Sequence, residues 1–488
     1  MKTAIIGAGF AGLASAKYLS EFGHDVTVFE KAADVGGVWS ASRTYPGVST
    51  QNGKDTYCLS DWPMPKSYPE WPSGPQVQAY LESYVEKFGL APALRLNSEV
   101  RSADQQEDGS WSVTTGSGTE KYDFLIVANG IFSRPFLPEF EGAQAFVEAG
   151  GQICHSSEFT DLDAARDKHI LVIGYGKSSC DIAAALAPAA ASMDVVAREI
   201  IWKAPKKFAG VLNYKYLLLT RMGEGLFRYR QLKGVERFLH GPGRPVRNSM
   251  IGSVQALTTA QLGLKKLGLV PRGSFERIAR STVSLTTDGF YEMVKSGELS
   301  VHRDTSIARL EVQAGKRFAV LANGTRLAAD IVICGTGWQQ EVPFLSASVQ
   351  KKLMDSKGNF LLYNCVKPIG ISNLAFNGYN SSFFSPLSAE IGALWIAAYM
   401  AGDLQLPPEA DQKRMTEDRL AWMQERTEGK HARGTNIIPF SMHQIDELLN
   451  DLRLPIGGMQ RFMEWQMPVK PGAYKKVAAR LKKRLGLA

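Results

Sequence analysis

The chain has 488 residues, 44% hydrophobic and 21% charged, with a formal charge of +8. That balance predicts a soluble globular protein of two to three domains and excludes a disordered or collagen-like chain. No stretch approaches the roughly 18 apolar residues of a spanning helix.

Met1-Lys2-Thr3 leads into an apolar run too short for a signal-peptide core, which predicts no export. Five scattered cysteines (Cys58, Cys154, Cys180, Cys334, Cys365) form no Cys-x-x-Cys pair and no zinc spacing. They predict reduced thiols in a cytoplasmic protein and no metal site.

In chain order, Lys2 to Ile6 reads as a strand followed at once by Gly7-Ala8-Gly9-Phe10-Ala11-Gly12. Leu13 to Phe22 has a helical pattern, and Asp25 to Phe29 is a second strand ending at Glu30. In such a unit Gly7 permits the tight turn, Gly9 lets backbone approach a pyrophosphate, and Gly12 lets helix pack on strand. The helix N-terminus offers N–H groups to the phosphates, and Glu30 is spaced to accept both hydroxyls of an adenine ribose. Tyr122 to Gly130 follows as a buried strand ending in a small-residue turn.

A second unit begins at His169 to Ile173, followed by Gly174-Tyr175-Gly176-Lys177-Ser178-Ser179 and a helix through Asp181 to Leu186. Ser179 replaces the third glycine with another small residue. The next strand, Asp194 to Ala197, ends in Arg198 instead of an acid. A carboxylate repels a ribose 2′-phosphate, whereas a guanidinium binds one, so the first site suits FAD and the second NADPH. The bland alternative is a solvated strand end, with Glu199 able to pair with Arg198 and blunt its charge.

Fourteen Lys/Arg and only two acids, Glu224 and Glu236, lie between Lys203 and Arg272, leaving the rest of the chain at −4. This region, about 206–280, mixes apolar runs with cations and reads as a helical insertion. It is either a lid or a surface for anionic membrane, or a solvated basic face over packed helices. No recognition motif accompanies the charge, so no nucleic acid is expected. Ala329 to Trp338 repeats the shape of Tyr122 to Gly130. The pair is expected to bracket the second unit, giving an FAD-binding domain from 1–160 and 329–488 and an NADPH-binding domain from 161–328. In the basic tail Val477, Leu481 and Leu485 make one helical stripe. The fold class is α/β, with two Rossmann-like domains, one inserted in the other.

The sequence resembles the flavin-containing monooxygenases, within the class B flavoprotein monooxygenases. Gly36-Gly37-Val38-Trp39 is similar to the family's second FAD contact. Asp61 to Pro65, Tyr68-Pro69 and Tyr80 to Tyr84 are similar at matching spacing, and Gly151 to Phe159 resembles the fingerprint F-x-G-x-x-x-H-x-x-x-(Y/F). The fingerprint's leading Phe falls at Ala149, with Phe146 three residues early. The resemblance makes His155 structural and linking. The related Baeyer–Villiger enzymes carry Trp where this chain has Phe159, which favours heteroatom oxygenation over ketone insertion. The family's Asn, three residues before a Lys and close to flavin and nicotinamide, maps back from Lys54 to Gln51, with Asn52 one residue off. The catalytic amide stays open between these two.

The resemblance implies a cycle in which NADPH reduces FAD and oxygen adds to give a C4a-hydroperoxide, which a soft nucleophile, an amine nitrogen or a sulfur, attacks. The expected cofactor contacts are Gly7, Gly9, Gly12, Glu30, Gly37, Val38, Trp39, Gly174, Gly176, Ser178, Ser179, Asp181 and Arg198, and the partners are a small-molecule substrate and O2. A Baeyer–Villiger or N-hydroxylating enzyme is one alternative. A non-catalytic flavin-binding redox sensor is another, although a structural flavin has no use for NADPH. A disulfide reductase would need a redox cysteine pair.

Overall fold

Short, continuously apolar runs build two parallel sheets, because strands covered on both faces have no polar side to show. The computed structural model describes residues 1–280 and 283–487. Its central strands, in chain order, are β1 (Lys2–Ile6), β2 (Asp25–Phe29), β3 (Leu94–Arg95), β4 (Phe124–Val127), β5 (Gln152–His155), β6 (His169–Ile173), β7 (Ser192–Ala197), β8 (Ser300–Arg303), β9 (Ile331–Cys334) and β10 (Leu374–Phe376). The first sheet has the order β10-β4-β1-β2-β3 and the second β5-β9-β6-β7-β8, parallel throughout.

The two sheets share one plan. Each central strand runs into a glycine turn and a helix, α1 (Phe10–Glu21) after β1 and α2 (Lys177–Leu186) after β6. Ile6 pairs with Phe29 on one side and Val127 on the other; Ile173 pairs with Val196 and Cys334. Both helices start earlier than the sequence pattern suggests, so Gly12 falls inside the first turn of α1.

One expectation needs correction. The strand Ile331–Cys334 and the strand Gln152–His155, both expected on the FAD side of the boundaries, pair within the second sheet. The second unit borrows a strand from each side of its own sequence. β4 and β9 repeat one shape because each flanks the central strand of its own sheet.

The first sheet is closed by α4, numbered after α3 (Arg244–Gln261) of the insertion. Helix α4 (Ser385–Met400) is apolar on most of its surface, Ser388 and Glu390 apart, and buried for most of its length, as a helix enclosed on every side must be. It packs on α1. Asn377 donates to the Ala11 carbonyl (3.2 Å), Ser15 Oγ (2.9 Å) and the Ala389 carbonyl (2.9 Å), tying the two helices together.

The basic segment faces the C-terminal helices α5 (Glu409–Thr427), α6 (Ser441–Asp451) and α7 (Gly458–Gln466). Arg221 is buried between Asp446 (2.6 Å) and Glu464 (2.8 Å), and Arg230 reaches Glu447 (2.5 Å). The two acids between Lys203 and Arg272 are both buried against His443. Glu224 accepts the N–H groups of Met442 (3.0 Å) and His443 (2.9 Å) and holds the imidazole Nδ1, while Glu236 lies 2.9 Å from Nε2. Burial alone would lower the imidazole pKa; the two carboxylates outweigh it and push it up to about 10. The terminal helix α8 (Lys476–Arg484) buries Val477 and Leu481 and sends Lys482 to Glu21 (2.5 Å). Among the described residues, no helix is long and apolar enough to cross a membrane.

Candidate functional site

The first turn is built by close approach. Gly7 has φ +108°, and a Cβ there would stand 2.5 Å from the Ala128 carbonyl oxygen; one on Gly12 would overlap the Gly7 carbonyl. Gly9 differs, since its Cβ would meet only Gly37 backbone at an ordinary 3.6 Å. The first and third glycines thus answer packing, and the second leaves the turn's outer face without a side chain. Gly37, Val38 and Trp39 form a single helical turn laid on that face, held by the Gly36 N–H donating to the Ala8 carbonyl (3.0 Å). Trp39 Nε1 donates to the Tyr57 hydroxyl (3.3 Å), and Val38 is exposed.

Glu30 has work inside the fold. Its Oε2 accepts the Ala8 N–H (2.8 Å) and its Oε1 the Ala32 N–H (2.9 Å), fastening the glycine turn to the end of β2. Each oxygen keeps a further lone-pair site for a ribose hydroxyl.

In the second turn, a Cβ on Gly174 (φ +107°) would lie 2.6 Å from the Gly335 carbonyl oxygen, while one on Gly176 would meet nothing within 4 Å. Ser179 is fully buried, its Oγ 3.4 Å from the carbonyls of Ile173 and Gly335. Ser178 lies in the first turn of α2, partly exposed. Asp181 is buried, with Oδ1 taken by Lys177 and by Thr287 Oγ1 (2.5 Å), so its carboxylate binds α2 to the chain beyond the insertion. Arg198 stands exposed at the end of β7. Among the described residues it has no ion pair, and Glu199 is bound instead by Arg280 (3.1 Å) and Lys430 (2.7 Å).

Gln51 and Asn52 lie where the two units and the insertion meet. Gln51 Oε1 accepts the Leu285 N–H (3.0 Å). The Tyr214 hydroxyl donates to the Gln51 carbonyl (2.8 Å) and lies 3.2 Å from Asn52 Oδ1; Asn52 Nδ2 donates to the Phe383 carbonyl (2.5 Å). Asn52 is 3% exposed and has both ends of its amide bonded, while Gln51 is half-buried with its Oε1 alone engaged.

The sequence model of the flavin-binding monooxygenase-like family matches residues 1–234. Flavin-containing monooxygenase 1 of Rattus norvegicus is 25% identical over 443 residues, covering 86% of this chain and 77% of its own. The chain is similar to the flavin-binding monooxygenase-like family over its first 234 residues. It is an enzyme, a monooxygenase whose cofactors are FAD and NADPH. Two solved structures share the fold. S-allyl-L-cysteine S-oxygenase from Allium sativum is 19% identical, covering 99% of this chain and 93% of that one, with a TM-score of 0.63. Cyclohexanone monooxygenase from Rhodococcus sp. Phi1, bound to NADP+, is 18% identical, covering 99% and 97%, with a TM-score of 0.66.

The residues present fit both cofactors of such a monooxygenase. Neither Gly9 nor Gly176 sets a side chain before its helix N-terminus, where backbone N–H groups and the helix dipole favour phosphate; a Cβ on Gly9 would meet Gly37 backbone at 3.6 Å, and one on Gly176 nothing within 4 Å. His155 links strand ends, as its family position implies: Nδ1 lies 2.8 Å from Ser157 Oγ and Nε2 3.1 Å from the Gly337 carbonyl, joining β5 to the loop after β9. Burial lowers its pKa. Phe146 is buried against Gly151, filling the space that a side chain at 151 would need. Tyr214 and Leu285 escaped the sequence reading. Tyr214 stood in an apolar run with no partner in view, and a backbone N–H such as that of Leu285 leaves no trace in side-chain chemistry.

Proposed function

We propose that this enzyme oxygenates a soft nucleophile, an amine nitrogen or a sulfur, with FAD on the Gly7–Gly12 turn, NADPH on the Gly174–Ser179 turn, and the Gln51/Asn52 seam between them. The observation that carries the reading is the pair of open glycine turns with opposite ribose-side chemistry, Glu30 drawn inward and Arg198 left free. FAD, when bound, supplies the hydride acceptance and oxygen activation that amino acids lack. The chain's own residues bind, orient and exclude water. Arg198 meets the 2′-phosphate, Gly9 and Gly176 admit the phosphates, and Gln51 holds an amide at the seam. Phe159, buried at the end of the fingerprint segment, favours heteroatom substrates over ketones.

The test is direct. Purified protein should carry stoichiometric FAD, bleach on anaerobic NADPH addition, and after oxygen admission show a persistent near-ultraviolet absorbance. Replacing Gln51 and Asn52 together by Ala should shorten that signal and raise peroxide release; unchanged coupling would remove both amides from the site. NADPH consumption across amines, sulfides and ketones, with product masses, decides the substrate class, and ester formation from ketones alone would replace this reading with the Baeyer–Villiger one.

A peripheral membrane contact through the insertion belongs to the same proposal. Val246, Met250 and Leu257 line an exposed stripe of α3, Phe238 is exposed just before it, and the exposed Lys233, Arg237 and Arg244 flank them. An apolar stripe edged with cations suits an anionic lipid surface. Co-sedimentation with anionic but not zwitterionic vesicles is expected, and equal recovery with both would reject it.

A further inference from the structure

Arg198 is free because its neighbour is held. Glu199 Oε1 lies 3.1 Å from Arg280 and 3.7 Å from Arg277, and Oε2 lies 2.7 Å from Lys430. The two arginines also bind Glu428, Arg277 at 3.3 Å and Arg280 more closely. These charges come from three separate places: the end of β7, the Phe275–Arg280 turn of the insertion, and the segment after α5. The hydrogen bond from Lys430 is the main influence holding the Glu199 carboxyl below its usual range, so it is charged at neutral pH. Released, a carboxylate one residue from Arg198 would neutralise the guanidinium or repel a phosphate dianion.

We propose that Lys430 and Arg280, by holding Glu199 away from Arg198, are positioning residues for the preference of NADPH over NADH. This rests on Arg198 being the partner of the 2′-phosphate. A purely structural account is the weaker one. The Glu199 side chain is 34% exposed and that of Lys430 52%, and ion pairs so placed contribute little to stability. Their effect on charge beside the phosphate is a full unit. The arrangement also makes cofactor choice depend on the C-terminal part of the chain, which sequence position alone would never connect to the second glycine turn.

The experiment compares kcat/KM for NADPH and NADH in the FAD-loaded wild type, Lys430→Ala, Arg280→Ala and the double variant. The NADPH-to-NADH ratio should fall about three- to tenfold in the double variant, through the KM for NADPH, with NADH use unmoved. Adding Glu199→Gln in that background should restore the ratio, because a neutral amide neither pairs with Arg198 nor repels phosphate. Equal losses with both cofactors, an unchanged ratio, or no rescue by Glu199→Gln would overturn the proposal. Arg198→Ala separates the two claims. If it harms both cofactors equally, the phosphate reading fails. If it harms NADPH alone while the Lys430/Arg280 variants change nothing, only the clamp falls.

Discussion

In the first turn Gly12 lies against the Gly7 carbonyl, and the end of the neighbouring strand carries Ala128; in the second turn the matching positions are Ser179 and Gly335. The missing side chain has moved from the helix to the facing strand. A Cβ on Gly335 would overlap Ser179 Oγ and sit 3.0 Å from the Ile173 carbonyl. In the first turn the Gly7 carbonyl bars a side chain on the helix, with Ala128 Cβ at an ordinary 3.7 Å, whereas in the second Gly335 leaves room for Ser179. A three-glycine pattern therefore describes one solution of two. The ribose ends differ in another way. Glu30 is bonded to the fold, whereas Arg198 has no ion pair among the described residues, so the first strand end is tied into its own framework and the second is presented to solvent.

Gly12→Ala should have the largest effect. Alanine normally favours a helix by about 1 kcal/mol over glycine, but here its methyl meets backbone that cannot move, at a cost on the order of 4 kcal/mol or more. Loss of FAD and of a cooperative melting transition is expected; a stabilised holoprotein would refute the packing argument. Gly335→Ala should cost less, about 1–3 kcal/mol, because Ser179 Oγ can rotate away. The double variant with Ser179→Gly should recover most of that, reproducing the arrangement of the first unit, and additive losses would show that the two positions do not trade volume. Glu30→Ala leaves the buried Ala8 N–H without its partner, at about 1–3 kcal/mol, so both Tm and FAD retention should drop. Arg198→Ala is the mildest for the fold. Tm and flavin content should hold while the KM for NADPH rises about ten- to a hundredfold and NADH use stays level. A fall in Tm comparable to that of Glu30→Ala would erase the contrast between the two ribose ends.

The basic insertion allows a pH test of the same division between built-in and presented charge. His443 titrates near 10, above its ordinary 6.5. Its protonation therefore supports folding fully below about pH 6.5 and is lost as pH rises through 10. His443→Gln should flatten the fall of Tm over that window and lower Tm at neutral pH, where Glu224 and Glu236 would face each other unpaired. An unchanged Tm profile would show that the pair of carboxylates contributes nothing to docking the insertion.

Both nucleotide turns, their order, the acid and the arginine at the two strand ends, and the stripe of the terminal helix were legible in the residues alone. Each is a local matter of backbone freedom, periodicity or charge, carried within about thirty residues of chain. What the sequence could not assign was set by partners distant along the chain. Strands β5 and β9 belong to the second sheet because they pair with each other and with β6, and an apolar run does not say which sheet it joins. Gly335 answers Ser179 across 156 residues. Glu199, placed by sequence to pair with Arg198, is taken by Arg280 and Lys430 instead. The sequence left the choice between Gln51 and Asn52 open because the two are chemically alike. Only Tyr214, Leu285 and Phe383, brought to the seam by folding, distinguish an amide bonded at both ends from one with its Oε1 alone engaged.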